Sequence, residues 1–182
     1  MTRLRIMTGL AAAGCLAVLG AGCASSGTAR PGNSVQAGTD TPAAGASVAA
    51  LSPAARTALA AKYLAAAQPA NRSLDTENDG YEDAEHDDLA AARKDLLDET
   101  VTEARFDAQL LAIRFPAVVE QQVQALVTAN KARIQLTRRQ ARAATLAALR
   151  ALDRQHQASD AAVEAPVRQI RQLLGLPPPS TS

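Results

Sequence analysis

The sequence predicts an all-α protein, an antiparallel bundle of about four helices with two long central helices, behind a disordered N-terminal tether. No glycine occurs between Gly80 and Gly175, and only Pro116 and Pro166 interrupt that stretch. Strong helix formers (Ala, Leu, Arg, Glu and Gln) dominate it. Its β-branched residues never alternate over the length of a strand, as a half-buried strand would require. We therefore expect one helical domain over residues 51–176.

The first predicted helix, helix A, begins at Ser52-Pro53, an N-cap residue followed by proline at the first helical position. We expect it to end near Gln68 because Pro69 cannot donate a helical hydrogen bond. Residues 69–80 are expected to form a loop. The buried stripe of helix A is predicted to consist of Leu59, Tyr63 and Ala66.

Helix B is predicted to open near Glu82, in acid-rich sequence that suits the positive end of a helix dipole. It should end at Phe115, because the residue before a proline avoids the α region. Apolar residues spaced mostly three or four apart predict its buried stripe. These residues are Leu89, Leu96, Leu97, Val101, Phe106, Leu110 and Ile113.

Helix C is predicted to start at Pro116, with one apolar side formed by Val119, Val123, Leu126, Val127 and Ile134. Thr137 either caps a new helix or lies within one long helix. The pattern continues through Leu146, Leu149 and Leu152, so the sequence leaves open whether residues 116–157 form one helix or two.

The last predicted helix carries Val163, Val167, Ile170 and Leu174 at 4-3-4 spacing. Ser159 is its expected N-cap, and Pro166 is expected to kink it or to delay its start. Gly175-Leu176-Pro177 predicts a Schellman-type stop. Residues 177–182 are then expected to form a disordered tail.

Charge placement predicts how helices B and C pair. Residues 75–103 carry a net charge of −10, and residues 131–154 carry a net charge of +6. A hairpin folded at Phe115-Pro116 brings these two runs face to face, with the numbers of facing residues adding up to about 231. Each run then neutralises the other. The chain from Cys23 onward has 17 basic and 18 acidic residues and few aromatic ones, so no nucleic-acid partner is expected.

Residues 75–86 contain a candidate calcium loop. Asp75, Glu77, Asp79 and Asp83 occupy ligand positions 1, 3, 5 and 9, and Gly80 occupies position 6. Position 12 departs from the pattern, because it is a histidine and not the bidentate glutamate. The alternative is an acidic loop leading into a helix N-terminus, where carboxylates are favourable without a metal.

Catalytic motifs are not found in the sequence, which has no GxSxG elbow, Walker loop or GxGxxG and no cysteine after Cys23. We expect a protein that is not an enzyme and that needs no cofactor. His86 and His156 are candidates for a metal pair, but the hairpin register places them roughly 16 Å apart along the helices. We therefore expect both to be polar surface residues near helix ends.

The N-terminus predicts export. Arg3 and Arg5 precede about 17 uncharged residues rich in Ala, Leu and Gly, as in a signal peptide. The stretch ends Leu19-Gly20-Ala21-Gly22-Cys23, which resembles a bacterial lipobox with Gly20 in place of the usual aliphatic residue. This resemblance implies cleavage after residues 1–22 and lipid attachment at Cys23. An ordinary secretory signal and an uncleaved N-terminal anchor are the alternatives.

Residues 23–50 are rich in Ala, Ser, Gly and Thr and predict a flexible tether with an rms span of roughly 30 Å. Both cysteines, Cys15 and Cys23, lie in the first 23 residues, so a processed domain would have no disulfide. The expected location is the extracytoplasmic face of the cell membrane, reached through the N-terminal lipid.

Two segments carry a family resemblance: Phe106-Asp107 with Leu110–Pro116, and the tail Val167–Pro179. With Ala129-Asn130 and Gln140-Ala141, they resemble uncharacterised exported lipoproteins of high-GC bacteria, chiefly actinobacteria. The resemblance implies a lipid-anchored helical protein and no known activity. We expect a non-catalytic interaction or structural module with an unidentified protein partner. The alternative is a small-ligand or calcium-binding protein that uses residues 75–86 or the bundle core.

Overall fold

The computed structural model describes residues 51–179, and in this range it contains helices and no strand. The helices are α1 (Pro53–Ala84), α2 (Leu89–Leu111), α3 (Ala117–Ala141), α4 (Leu146–Arg150) and α5 (Asp153–Leu173). The all-α prediction is confirmed. The predicted signal peptide, the tether and Cys23 lie outside the described residues, as do residues 180–182. Within residues 51–179, no helix combines the length and the apolar character needed to cross a membrane.

Helix α1 begins as predicted and ends later than predicted. The Ser52 hydroxyl accepts a hydrogen bond from the Ala55 amide at 3.2 Å, which caps the first turn. The expected loop over residues 69–80 is wrong, because the helix continues through Pro69 to Ala84.

Packing explains why Pro69 does not end α1. A proline inside a helix costs about 3 kcal/mol, because it removes one hydrogen bond and crowds the preceding turn. Ala66, Ala67 and Ala70 on either side of it are buried in the main apolar cluster. Burial of this face on both sides of the proline holds the helical path.

A short loop joins α1 to α2, which starts at Leu89 and not near Glu82. The Asp88 carboxylate caps α2 by accepting hydrogen bonds from the amides of Ala90 and Ala91, both at 2.9 Å. At the other end, α2 stops at Leu111, and α3 begins directly after Pro116.

Thr137 lies inside α3, where its hydroxyl donates to the Arg133 carbonyl at 3.2 Å. Residues 116–157 therefore contain α3, the short α4 and the start of α5. Ser159 is not a cap, since α5 already begins at Asp153, and its hydroxyl donates to the His156 carbonyl at 2.6 Å. Pro166 lies within α5 and does not delay its start.

The predicted Schellman stop is present at the end of α5. The Leu176 amide donates to the Arg171 carbonyl at 2.8 Å, and the Gly175 amide donates to the Gln172 carbonyl at 3.1 Å. Gly175 has φ +71°, a left-handed conformation that favours glycine.

Helix α1 packs on α2, α2 on α3, and α3 on α5, each pair antiparallel. The apolar core is divided into two clusters. The larger one lies toward the Leu110 end of α2 and includes Tyr63, Phe106, Val123 and Ile170. The smaller one lies toward the Leu96 end of α2, and its buried members are Tyr81, Ala84, Ala92, Leu96, Ala141 and Leu149. Polar side chains occupy the level between them.

The predicted pairing of α2 with α3 is confirmed, with a shift in register. Arg133 pairs with Glu103 and Asn130 pairs with Asp107, whereas a sum of 231 would have placed Glu103 opposite position 128. The register of α2 against α3 is therefore shifted by about five residues from the predicted one.

The predicted buried stripe of α2 is wrong at two positions, because Leu97 and Val101 are 49% and 55% exposed.

Candidate functional site

A cluster of charged and polar side chains is buried between α2, α3 and α5. We call it the polar layer; it consists of Glu99, Glu103, Arg133, Thr137, His156 and Asp160. The Arg133 guanidinium forms an ion pair with the Glu103 carboxylate and lies 3.5 Å from Glu99 and 3.3 Å from Asp160. One cation thus holds carboxylates from two other helices.

His156 belongs to this layer and is 2% exposed, so its predicted surface position is wrong. Its Nε2 atom lies 2.9 Å from the Thr137 hydroxyl and 3.6 Å from Glu99 Oε1. His86, in contrast, is exposed in the loop after α1, with its Nδ1 atom 3.2 Å from Arg150 Nη1. The two histidines lie in different environments.

Burial favours the neutral form of a carboxyl group in the polar layer. Burial raises the pKa of Glu103 from 4.5 to about 8, and the neighbouring Glu99 adds to this, although Arg133 opposes it. The surrounding carboxylates raise the pKa of Arg133 above its usual value despite its burial, so Arg133 stays charged. Three carboxylates and one guanidinium reach a better charge balance when one carboxyl group is neutral.

Three further buried hydrogen bonds flank this layer. Asn130 donates to the Asp107 carboxylate at 2.7 Å and joins α3 to α2, and partial burial raises the pKa of Asp107 to about 6. Toward the smaller apolar cluster, the Tyr81 hydroxyl donates to Asp153 at 2.9 Å, and Gln140 donates to Asp153 at 2.6 Å. These last two contacts tie α1, α3 and α5 together.

Burial decides what the polar layer can do chemically. Arg133, Glu103 and His156 are each at most 3% exposed, so a dissolved substrate does not reach them in this conformation. Breaking such a buried network leaves uncompensated charge, which is strongly destabilising. The layer therefore joins α2, α3 and α5 through contacts that are costly to break.

The candidate calcium ligands lie on α1 and not on a loop, so the loop geometry behind that prediction is wrong. Asp75, Asp79 and Asp83 follow one side of the helix at four-residue spacing. Glu77 points away from that side and accepts a hydrogen bond from the Thr102 hydroxyl of α2 at 2.6 Å. Across residues 51–179, no group of three or more His, Cys, Asp or Glu side chains is arranged to hold a metal ion.

A surface groove of about 540 Å³ lies between α1 and α2. Its walls carry charges of both signs, and burial raises the pKa of Glu77 and of Asp95 within it. It is lined by Pro69, Arg72, Ser73, Thr76, Glu77, Lys94, Asp95 and Asp98. Ligand binding in the bundle core, the alternative function, would need an apolar cavity between the helices. This groove instead lies at the surface, and most of its lining side chains are charged or polar.

The outer face of α2 carries an apolar stripe that we call the α2 stripe: Leu97, Val101, Ala104, Ala108 and Leu111. Its three large side chains are 48–55% exposed, and they are the large hydrophobic residues that the described chain exposes most. The predicted buried stripe of helix B included Leu97 and Val101, so it did not separate this exposed stripe from the buried face. The 4-3-4-3 spacing from position 97 to position 111 was the signal that a second stripe exists.

Comparison of the chain with protein-family models, with curated proteins and with solved structures finds no match. The class that the structure defines is a helical bundle with a buried polar layer and an exposed apolar stripe. The resemblance to exported lipoproteins stays a prediction, as does lipid attachment at Cys23.

Proposed function

We propose that this protein is a membrane-anchored extracytoplasmic lipoprotein whose helical domain is a non-catalytic interaction or structural module. The observation that best supports the interaction role is the α2 stripe. Leu97 and Val101 lie one helical turn apart and are each about half exposed. Contiguous exposed apolar surface of this kind commonly marks a protein interaction site, because burying it is favourable by about 25 cal/mol per Å².

The buried position of the charged groups in the polar layer also favours a non-catalytic role. The most perturbed carboxyl group, Glu103, is sealed between helices and paired with Arg133. A catalytic acid or base must reach its substrate at hydrogen-bond distance. The perturbed pKa of Glu103 is better explained by helix alignment than by catalysis.

The anchoring part of the proposal rests on the sequence of residues 1–23. The charge-free stretch from Ile6 to Gly22 and the lipobox-like end at Cys23 support export and acylation. Residues 23–50, rich in Ala, Ser, Gly and Thr, would then be the flexible connection between the lipid and the helical domain.

Metabolic labelling of the full-length chain with an alkyne analogue of palmitate in a bacterial host tests the anchor. We expect labelled protein in the membrane fraction, loss of label in Cys23→Ser, and normal labelling in the matched control Cys15→Ser. Label that persists in Cys23→Ser would overturn acylation at Cys23. A protein that retains residues 1–22 would overturn the proposed processing.

Photo-crosslinking in the same cells tests the interaction role. A photoreactive amino acid at Val101 should give a discrete higher-mass adduct. The same probe at Ala125, an exposed residue of α3, serves as the matched control and should give none. If position 101 yields no adduct, or only the adducts that position 125 yields, the interaction role is refuted.

A further inference from the structure

The α2 stripe has the spacing of a helix-pairing seam. Positions 97, 101, 104, 108 and 111 repeat at intervals of four and three, and all five residues are exposed. The seam points away from the bundle, because the opposite face of α2 carries the buried residues Leu96, Phe106 and Leu110. A helix laid along this seam would not disturb the packing of α2 within its own chain.

The order of side-chain sizes along the seam favours one partner and one direction. If a second α2 runs antiparallel, with the twofold axis between positions 101 and 104, Leu97 faces Ala108 of the other copy. In the same arrangement, Val101 faces Ala104 of the other copy. Large side chains then pack against small ones, as a close-packed interface requires. Parallel pairing in register would instead oppose alanine to alanine at two levels and leave space between the helices.

Charge complementarity favours the same arrangement. Asp98 and Arg105 lie on the same flank of the seam, seven residues apart. Asp98 forms an ion pair with Lys94 of its own chain at 2.7 Å, and its side chain is still 48% exposed. Antiparallel pairing brings Asp98 of each copy close to Arg105 of the other, twice by symmetry. Lys94 lies opposite Leu111 of the other copy, where its aliphatic stem can cover the leucine while its amine stays paired with Asp98 of its own chain at 2.7 Å.

From these observations we infer that the partner of the α2 stripe is a second copy of this chain, bound through an antiparallel α2–α2 contact. This inference rests on the proposed interaction role and names its partner.

Sedimentation velocity of the full-length chain in mild detergent, over a wide concentration range, tests the pairing. We expect a monomer–dimer equilibrium for the natural sequence and a monomer for Val101→Glu. The matched control Ala125→Glu adds the same charge on the exposed face of α3 and should leave the dimer intact. Natural protein that stays monomeric at every concentration, or Val101→Glu protein that still dimerises, overturns the inference.

Charge reversal tests whether the two α2 helices pair in the antiparallel direction. Asp98→Arg and Arg105→Asp should each weaken the dimer, and the double variant should restore it, because each copy then again presents opposite charges across the seam. A double variant no better than the single variants overturns the antiparallel register. A photo-crosslink from position 101 to a different protein overturns self-pairing and leaves the proposed interaction role standing. The absence of any crosslink there overturns both.

Discussion

Replacing Glu103 by glutamine should change how stability depends on pH. Glutamine has the shape of the protonated carboxyl group and can still accept a hydrogen bond from Arg133, but it does not ionise. Because the pKa of Glu103 is raised from 4.5 to about 8, the folded state retains a proton that the unfolded chain has released. A raised carboxyl pKa contributes stability that is fully present below pH 4.5 and is lost as pH rises to about 8.

The magnitude follows from proton linkage. Between the two pKa values, stability falls by about 1.4 kcal/mol per pH unit. Glu103 is 1% exposed, so solvent screens this effect little. Between pH 5.5 and 7.5 the natural protein should therefore lose about 3 kcal/mol relative to Glu103→Gln. Asp107 is present in both proteins, and its raised pKa of about 6 lowers the stability of both as pH rises.

Urea denaturation followed by circular dichroism at a series of pH values measures this difference. The matched control is Glu164→Gln, since Glu164 forms a surface pair with Arg168 at 2.7 Å that is worth about 0.5 kcal/mol or less. The free energy of unfolding of Glu164→Gln, plotted against pH, should run parallel to that of the natural protein. If the plot for Glu103→Gln also runs parallel, Glu103 does not retain a proton in the folded state and the prediction is refuted. A natural protein that gains stability with pH relative to Glu103→Gln would show that the ion pair with Arg133 lowers the pKa of Glu103.

Three further substitutions test other parts of the structure by urea denaturation. Arg133→Leu should lower the free energy of unfolding by about 3–5 kcal/mol, because it leaves the buried carboxylates without their cation; a loss below about 1 kcal/mol would contradict the polar layer. Gly80→Ala should raise stability by up to about 1 kcal/mol through helix propensity. Its new Cβ would come within 2.8 Å of the Asp95 carboxylate, a flexible group that can rotate, so a marked loss would show that this carboxylate is fixed. Gly175→Ala should cost about 1–2 kcal/mol because φ is +71°, and an unchanged stability would contradict the left-handed stop.

The parts of the fold that depend on neighbouring residues were predictable from the sequence. Ser52-Pro53 defines the start of α1, and Gly175 defines the end of α5, because capping is decided within a few residues. Ser159 shows the limit of this reasoning. It has the chemistry of a cap, but α5 begins six residues earlier, at Asp153.

Features set by distant residues could not be predicted in the same way. Pro69 would end an isolated helix, and only packing against other helices carries α1 past it. His156 is polar and near a helix end by number, but Glu99 of α2 and Thr137 of α3 make its burial possible. Opposite net charges correctly predicted that α2 and α3 pair, but they did not fix the register, which depends on a few buried contacts.

The polar layer also explains why the α2 stripe faces outward. Turning α2 by about one residue, or roughly 100°, would bury Leu97 in place of Leu96. The same turn would move Glu99 and Glu103 away from Arg133 and leave a buried guanidinium without its partners, at a cost of about 3–5 kcal/mol. Covering the exposed halves of Leu97 and Val101 would return only about 1 kcal/mol each. The charged contacts therefore decide the rotation of α2, and the apolar stripe stays on the surface, where a second helix can bind it.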